Sequence, residues 1–175
     1  MSRLPKTRAA LAYAEERHAG QRRKADGAPF IEHPAEVAWL LYQAGAPDHV
    51  IAAGVLHDTL EKTAADPAEL RKRFGARTAE LVAAVSEDER ISGYATRKAA
   101  LRAQVAAAGP EALMVFAADK ISKIRELRVV TKVPERRLRH YRRCVELLEQ
   151  RLSGSPLVVQ LRAEFDRVRL PAAAA

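Results

Sequence analysis

The segment Ala53-Gly54-Val55-Leu56-His57-Asp58-Thr59-Leu60-Glu61 sets an imidazole and a carboxylate side by side at the end of an apolar run. Such groups are costly to bury without a compensating partner. A divalent cation is one such partner, because a neutral imidazole nitrogen and a carboxylate oxygen are both good ligands for manganese, iron or zinc. A core histidine satisfied by its neighbouring aspartate is the bland alternative, and the dipeptide alone does not choose. Two residues widen the set. His33 stands directly before Pro34, and Asp119 follows the apolar run Leu113-Met114-Val115-Phe116-Ala117-Ala118. Two histidines and two aspartates suit a metal that keeps open positions for water and phosphate oxygens, although spacing does not establish that they converge. Glu61 lies one helical turn beyond His57 and Asp58, on their face, where it is either a general acid or base for an activated water or a surface glutamate.

The elements that must position these residues are helical. Alanine, leucine, arginine and glutamate dominate and only eight glycines occur, so the expected fold class is all-α with little or no strand. Helical spacing runs from Leu4 to His18, and charges, Gly27 and Pro29 break it between Gln21 and Pro29. His33-Pro34 opens a second helix that ends near Ala44-Gly45, and Asp48 is placed to cap a third. The run Val50 to Leu56 is apolar on nearly every side, the mark of a central, buried helix. Further helices are expected over Pro67 to Phe74, Arg77 to Ser86, Tyr94 to Ala108, Pro110 to Val130, Pro134 to Leu152 and Pro156 to Arg169. A length of 175 residues, 48% hydrophobic, fits one helical-bundle domain over residues 1–170 with a frayed tail at 171–175.

The N-terminus is charged almost from the start and no stretch approaches a membrane span, which argues against a secretory signal or a membrane protein. The single cysteine, Cys144, sits on a helix side and has no partner for an internal disulfide, so a reducing cytoplasm is the expected setting. A formal net charge of +8 favours an anionic partner, with nucleotide, nucleic acid and acidic surface all eligible. There is no zinc-finger spacing and no compelling helix-turn-helix. A nucleic-acid module therefore ranks below a metal-dependent enzyme, and a purely structural helical protein ranks last.

Taken together, the pieces His18-x-x-Gln21-Arg22-Arg23-Lys24, Gly27 through His33-Pro34, Ala53 through Glu61, Phe74-Gly75, Arg97-Lys98 and Ala118-Asp119-Lys120 resemble the HD-domain hydrolases. Within them, the order and separations over residues 5–152 are similar to the RelA/SpoT-type and small alarmone hydrolases, which remove pyrophosphate from guanosine tetraphosphate. The resemblance implies a single HD-domain helical bundle, a manganese ion held by His33, His57, Asp58 and Asp119, and hydrolysis by a metal-activated water. It gives Glu61 the catalytic proton, Arg23 and Lys24 contacts to guanine and phosphates, and Arg137 and Tyr141 contacts to phosphate and sugar. Arg137 and Tyr141 share a helix face at i and i+4, but Arg136, Arg139 and Arg142 crowd the same stretch, and a charge run also fits a solvated face. By the same comparison His18 is structural. His140 is expected exposed, and His49 is expected in a loop without a partner. At 175 residues the sequence has no room for a separate nucleotidyltransferase domain, so a stand-alone small hydrolase is the expected comparison.

Two positions depart from that family's pattern. Its usual His-Asp-x-x-Glu-Asp-Thr reads His57-Asp58-Thr59-Leu60-Glu61-Lys62-Thr63 here, and an expected asparagine four residues after the last metal aspartate is Lys123. Both changes add positive charge near the expected pocket. One reading makes Lys62 catalytic and Lys123 substrate-binding, tuned to a guanosine polyphosphate or to another nucleotide. The other makes the chain a weakened hydrolase that serves as a nucleotide sensor. A third leaves Lys62 pointing outward to pair with a carboxylate.

Overall fold

The computed structural model describes residues 4–169, so the expected frayed tail at 171–175 lies outside the described residues. Helices α1 (Pro5–Arg17), α2 (Glu32–Gln43), α3 (Asp48–Leu56), α4 (Thr59–Lys62) and α5 (Pro67–Phe74) are followed by α6 (Ala76–Val85), α7 (Tyr94–Ala108), α8 (Pro110–Glu126), α9 (Glu135–Arg151) and α10 (Pro156–Arg169). The fold is all-α, and the one extended pairing among the described residues is an isolated bridge between Arg22 and Pro29 that pinches the loop after α1. No helix among these residues is long and apolar enough to cross a membrane.

Helix α3 is the axis. Every residue from Val50 to Leu56 is buried, as its all-round apolar sequence requires, with α1, α2, α6 and α8 packed around it. Helix α8 is the second central rod and touches α2, α3, α6, α7, α9 and α10, with everything from Val115 to Ser122 buried. It ends earlier than its sequence suggests, at Glu126, and a 3-10 turn over Leu127–Val129 completes the stretch to Val130. The close approach of α2 to α3 depends on Gly54, because a Cβ there would stand 2.4 Å from Leu41 Cδ1 and 3.2 Å from Val37 Cγ1.

Three local assignments change in three dimensions. Asp48 does not cap its own helix. Its carboxylate accepts the backbone N–H groups of Lys6 and Thr7 at 3.0 and 2.9 Å and the Thr7 hydroxyl at 2.7 Å, so it caps the first turn of α1 from across the bundle. His49 lies within α3 and pairs through Nε2 with Glu111 Oε1 at 2.8 Å. His140 is buried rather than exposed, and its ring packs between Tyr94 and Tyr141. None of these is legible locally, because each depends on a partner about 40 residues away or more.

Since Leu41 and Val37 are fully buried, they have nowhere to move. Gly54→Val is expected to destabilise the protein by roughly 1–3 kcal/mol, read as a lowered midpoint of urea unfolding. An unchanged midpoint would mean that the α2–α3 contact is not tight.

Candidate metal centre

The apolar helix α3 delivers its chemistry where it ends. His57 and Asp58 keep helical backbone angles but fall between α3 and the short α4, and the Thr59 hydroxyl ties the junction by donating to Leu56 O at 2.7 Å. His33 comes from the first turn of α2 and Asp119 from the middle of α8. All four side chains are buried, at 1 to 5% exposure. His33 Nε2 and His57 Nε2 face each other at 3.1 Å. Asp58 Oδ2 lies 3.5 and 3.3 Å from these two nitrogens, and Asp119 Oδ1 lies 3.2 and 3.3 Å from them.

The hydrogen bonds behind the rings decide what these atoms can do. His57 Nδ1 donates to Gly54 O at 2.7 Å, because a carbonyl can only accept. His33 Nδ1 meets Ser122 Oγ at 2.8 Å, and the Ser122 hydroxyl is itself donated to Glu36 Oε2 at 2.6 Å, so the serine accepts from His33. In the neutral tautomers so fixed, both Nε2 atoms present lone pairs to each other. Asp58 Oδ2 and Asp119 Oδ1 are buried without a hydrogen-bond donor of acceptable geometry. The two inward imidazole lone pairs and an Asp58 oxygen lie close enough together to hold a cation, with Asp119 Oδ1 beside both rings. Where no cation stands, a proton must substitute. Burial pushes the His57 imidazole down, but Asp58 and Asp119 outweigh it and raise its pKa to about 9.

Lysines stand on both outer oxygens and on the inner oxygen of Asp119. Lys62 Nζ lies 2.6 Å from Asp58 Oδ1, Lys120 Nζ donates to Asp119 Oδ2 at 2.5 Å, and Lys123 Nζ lies 2.9 Å from Asp119 Oδ1 and 3.8 Å from Asp58 Oδ1. Burial alone would raise both carboxyl pKa values, yet Lys123 and His57 hold Asp58 well below the usual range, and Lys120 and Lys123 do the same for Asp119. Both aspartates are therefore ionised and fit for ligation. Lys62 does not point outward. It leans over the Phe30 ring, and its backbone carbonyl accepts Gln21 Nε2 at 2.9 Å, while Gln21 Oε1 accepts His18 Nδ1 at 2.9 Å. His18 is structural, tying the loop after α1 to α4.

A cleft of ≈ 950 Å³ opens above His33. The loop after α1 supplies Arg22, Arg23 and Lys24 to its wall, and Lys62, Lys98, Lys123 and Arg137 complete a ring of cations around one lining carboxylate, Glu126. Such a wall selects an anion. Arg23 is held by Asp26 and Glu32 at 2.5 and 3.1 Å, whereas Lys24 and Arg137 have no acidic partner among the described residues. Two expected site residues are not in this wall. Tyr141 is 4% exposed, so it has no free face for a nucleoside. Glu61 does not line the cleft, and its Oε1 accepts the Glu87 backbone N–H at 2.6 Å.

Sequence reasoning missed Ser122, Glu36, Lys120 and Glu126. Ser122, Lys123 and Glu126 follow Asp119 at three, four and seven residues along α8, so helical spacing was the available signal. Glu126 lies 3.7 Å from His33 Nδ1, and burial raises its pKa against the pull of His33, Arg23 and Lys123. Glu36 follows His33 at three residues along α2, so the same helical spacing was its signal.

Comparison with known proteins agrees with this arrangement. A family model described as HD domain matches residues 10–147. The chain is similar to guanosine-3′,5′-bis(diphosphate) 3′-pyrophosphohydrolase MESH1 of Mus musculus, 34% identical over 134 residues that make up 74% of each protein. It is also similar to the guanosine-3′,5′-bis(diphosphate) 3′-pyrophosphohydrolase of Aquifex aeolicus, 33% identical over 67% of this chain. The chain spans only 16–18% of the length of the long bacterial relatives that it matches. A solved structure described as a metazoan ortholog of SpoT that hydrolyzes ppGpp superposes with a TM-score of 0.81 at 27% identity, covering 93% of this chain and 95% of that one.

Because Ser122 fixes the His33 tautomer, Ser122→Ala is expected to weaken divalent-metal affinity by about 10–100-fold with helix content unchanged. Calorimetric titration with manganese measures it, and native affinity in the variant would remove Ser122 from the centre.

Proposed function

The chain belongs to the HD-domain family, and from that premise we propose that it is a metal-dependent phosphohydrolase that releases pyrophosphate from the 3′ position of guanosine-3′,5′-bis(diphosphate). The observation that carries the reading is the convergence of two bare imidazole nitrogens and two ionised carboxylates at the base of a cationic cleft. Relatives named for this activity supply the substrate class.

His33, His57, Asp58 and Asp119 would hold the ion, and Mn²⁺ suits their mixed nitrogen and oxygen set. When bound, it supplies Lewis acidity toward a phosphoryl oxygen and lowers the pKa of water. The chain's own residues bind and balance charge. Arg23, Lys24, Lys123 and Arg137 neutralise phosphate oxygens, with the guanidinium groups able to do so in bidentate fashion. Lys62 and Lys123 oppose the negative charge that develops on the transferring group. Glu61 takes the proton, which requires it to exchange the Glu87 N–H for a water in the cleft. Tyr141 has no free face to offer, so its role narrows to positioning behind the wall, where its ring packs on His140.

One observation favours a second reading. Glu61 is engaged by Glu87, and Lys62 stands on Asp58 where the resembled family carries an acid. A chain so arranged could bind a guanosine polyphosphate without useful turnover, since loss of a general base commonly costs about a hundredfold to ten-thousandfold in rate. It could also act on a different nucleotide.

Pyrophosphate and phosphate release from a nucleotide panel separates these readings, run with manganese or chelator on the native chain and on Asp58→Ala. Manganese-dependent pyrophosphate release from guanosine tetraphosphate is expected, and the variant should lose both turnover and bound metal. Full activity in the variant would sink the assignment of the centre. Turnover of another nucleotide alone would move the substrate, and bound metal without turnover would leave a binding protein.

A further inference from the structure

Helix α9 presents a second cationic surface, which shares Lys98 but none of its arginines with the cleft above the metal centre. Arg136, Arg139 and Arg143 recur at helical spacing and face Lys98 and Arg102 of α7 across a pocket of ≈ 120 Å³. None of Arg102, Arg136, Arg139 and Arg143 has a carboxylate partner among the described residues, and no acidic residue lines the pocket. Lys98 alone is neutralised, by Glu87. Several other arginines are matched with acids, as Arg125 and Arg128 are with Glu164 and Arg162 is with Glu149. Gathering guanidinium groups without a counter-charge is unfavourable unless an anion joins them.

The floor of the pocket is built for the same charge. Arg102 Nη1 donates to His140 Nδ1 at 2.9 Å, so this buried imidazole is neutral and presents a lone pair to the arginine. Burial first, and then the charges of Lys120, Lys98 and Arg102, lower the His140 pKa to about 2, so the ring stays neutral beside these cations. The aromatic wall is occupied: Arg136 Cζ stands 5.3 Å and Lys98 Nζ 5.5 Å from the Tyr94 ring centre. With its ring faced by cations and its volume small, the pocket suits a phosphoryl group and has no bare aromatic face for a stacked base.

We propose that the pocket between α7 and α9 is a second anion site, which takes the diphosphate group of a small molecule through Arg102, Arg139 and Arg143. The diphosphate could come from inorganic pyrophosphate or from a nucleotide. This inference does not depend on the proposed hydrolase activity. Arg137 lines the main cleft one residue further round α9, so the two sites can be disabled separately.

The test is calorimetric titration with pyrophosphate and with guanosine diphosphate in the presence of a chelator, using the native chain, Arg139→Ala/Arg143→Ala and Arg137→Ala. The double variant is expected to lose about tenfold or more in affinity, while Arg137→Ala retains most of it. Metal binding by the double variant should be native, because its two substituted arginines are exposed and make no ion pair that folding needs. Similar affinity for both ligands would support a diphosphate carried on a nucleoside, and tighter binding of pyrophosphate alone would support the inorganic source. Equal affinity in the native chain and the double variant would overturn the proposal, as would loss confined to Arg137→Ala. Binding of a long RNA with no measurable binding of either small anion would also overturn it, by making the face a polyelectrolyte surface.

Discussion

Two imidazole nitrogens with inward lone pairs, held 3.1 Å apart between two buried carboxylate oxygens, need positive charge among them. Much of the structure follows from that need. Each histidine is fixed from behind: His57 by Gly54 O, and His33 by a relay that runs through Ser122 and Glu36 to Arg125 and on to Glu164. The relay joins α2, α8 and α10, so the orientation of one ring depends on the packing of three helices. Rigid interiors transmit such constraints well, because close-packed side chains leave few alternative positions.

The same constraint explains why the central helix is apolar all round. A site that buries ionised carboxylates must exclude water around them, and α3 provides the dry wall while ending at the residue that begins the chemistry. This much was legible in the sequence, because burial on all sides leaves a continuous apolar run and a His-Asp pair inside such a run is anomalous. The convergence of His33 and Asp119 was not legible from spacing. It rests on the approach of α2 and α8 to α3, and the α2 contact turns on the missing side chain of Gly54.

Where reasoning along one helix failed, the cause was a break in the helix or a partner from elsewhere. Glu61 lies on the face of His57 and Asp58 only if the helix is continuous. The turn between α3 and α4 and the Glu87 N–H together carry its carboxylate to the start of the α6–α7 loop. Lys62 then meets Asp58 at the i+4 position. His140 reads as part of an exposed arginine-rich stretch, yet α7 covers it. Charge patterning reports a helix face and not what packs on it, so the arginines around His140 gave no hint that they border a pocket.

The lysines at the centre pull in two directions. By holding Asp58 and Asp119 ionised, Lys123 and Lys120 keep these groups in the state that a metal requires. Lys62 and Lys120 stand on the outer oxygens, Asp58 Oδ1 and Asp119 Oδ2. Lys123 differs, because its ammonium shares Asp119 Oδ1 with the two histidines and so occupies an electron pair that a cation would claim. Asp119 and then Asp58 raise the Lys123 pKa well above its ordinary value against the effect of burial, so it is charged while it stands on Asp119. Movement toward another anion would relieve the competition with a cation, and Lys123 already lines the cleft. A phosphate entering there would draw Lys123 off Asp119 as it arrives. Anion binding and metal binding in this chain would then favour one another, and each would be weaker alone.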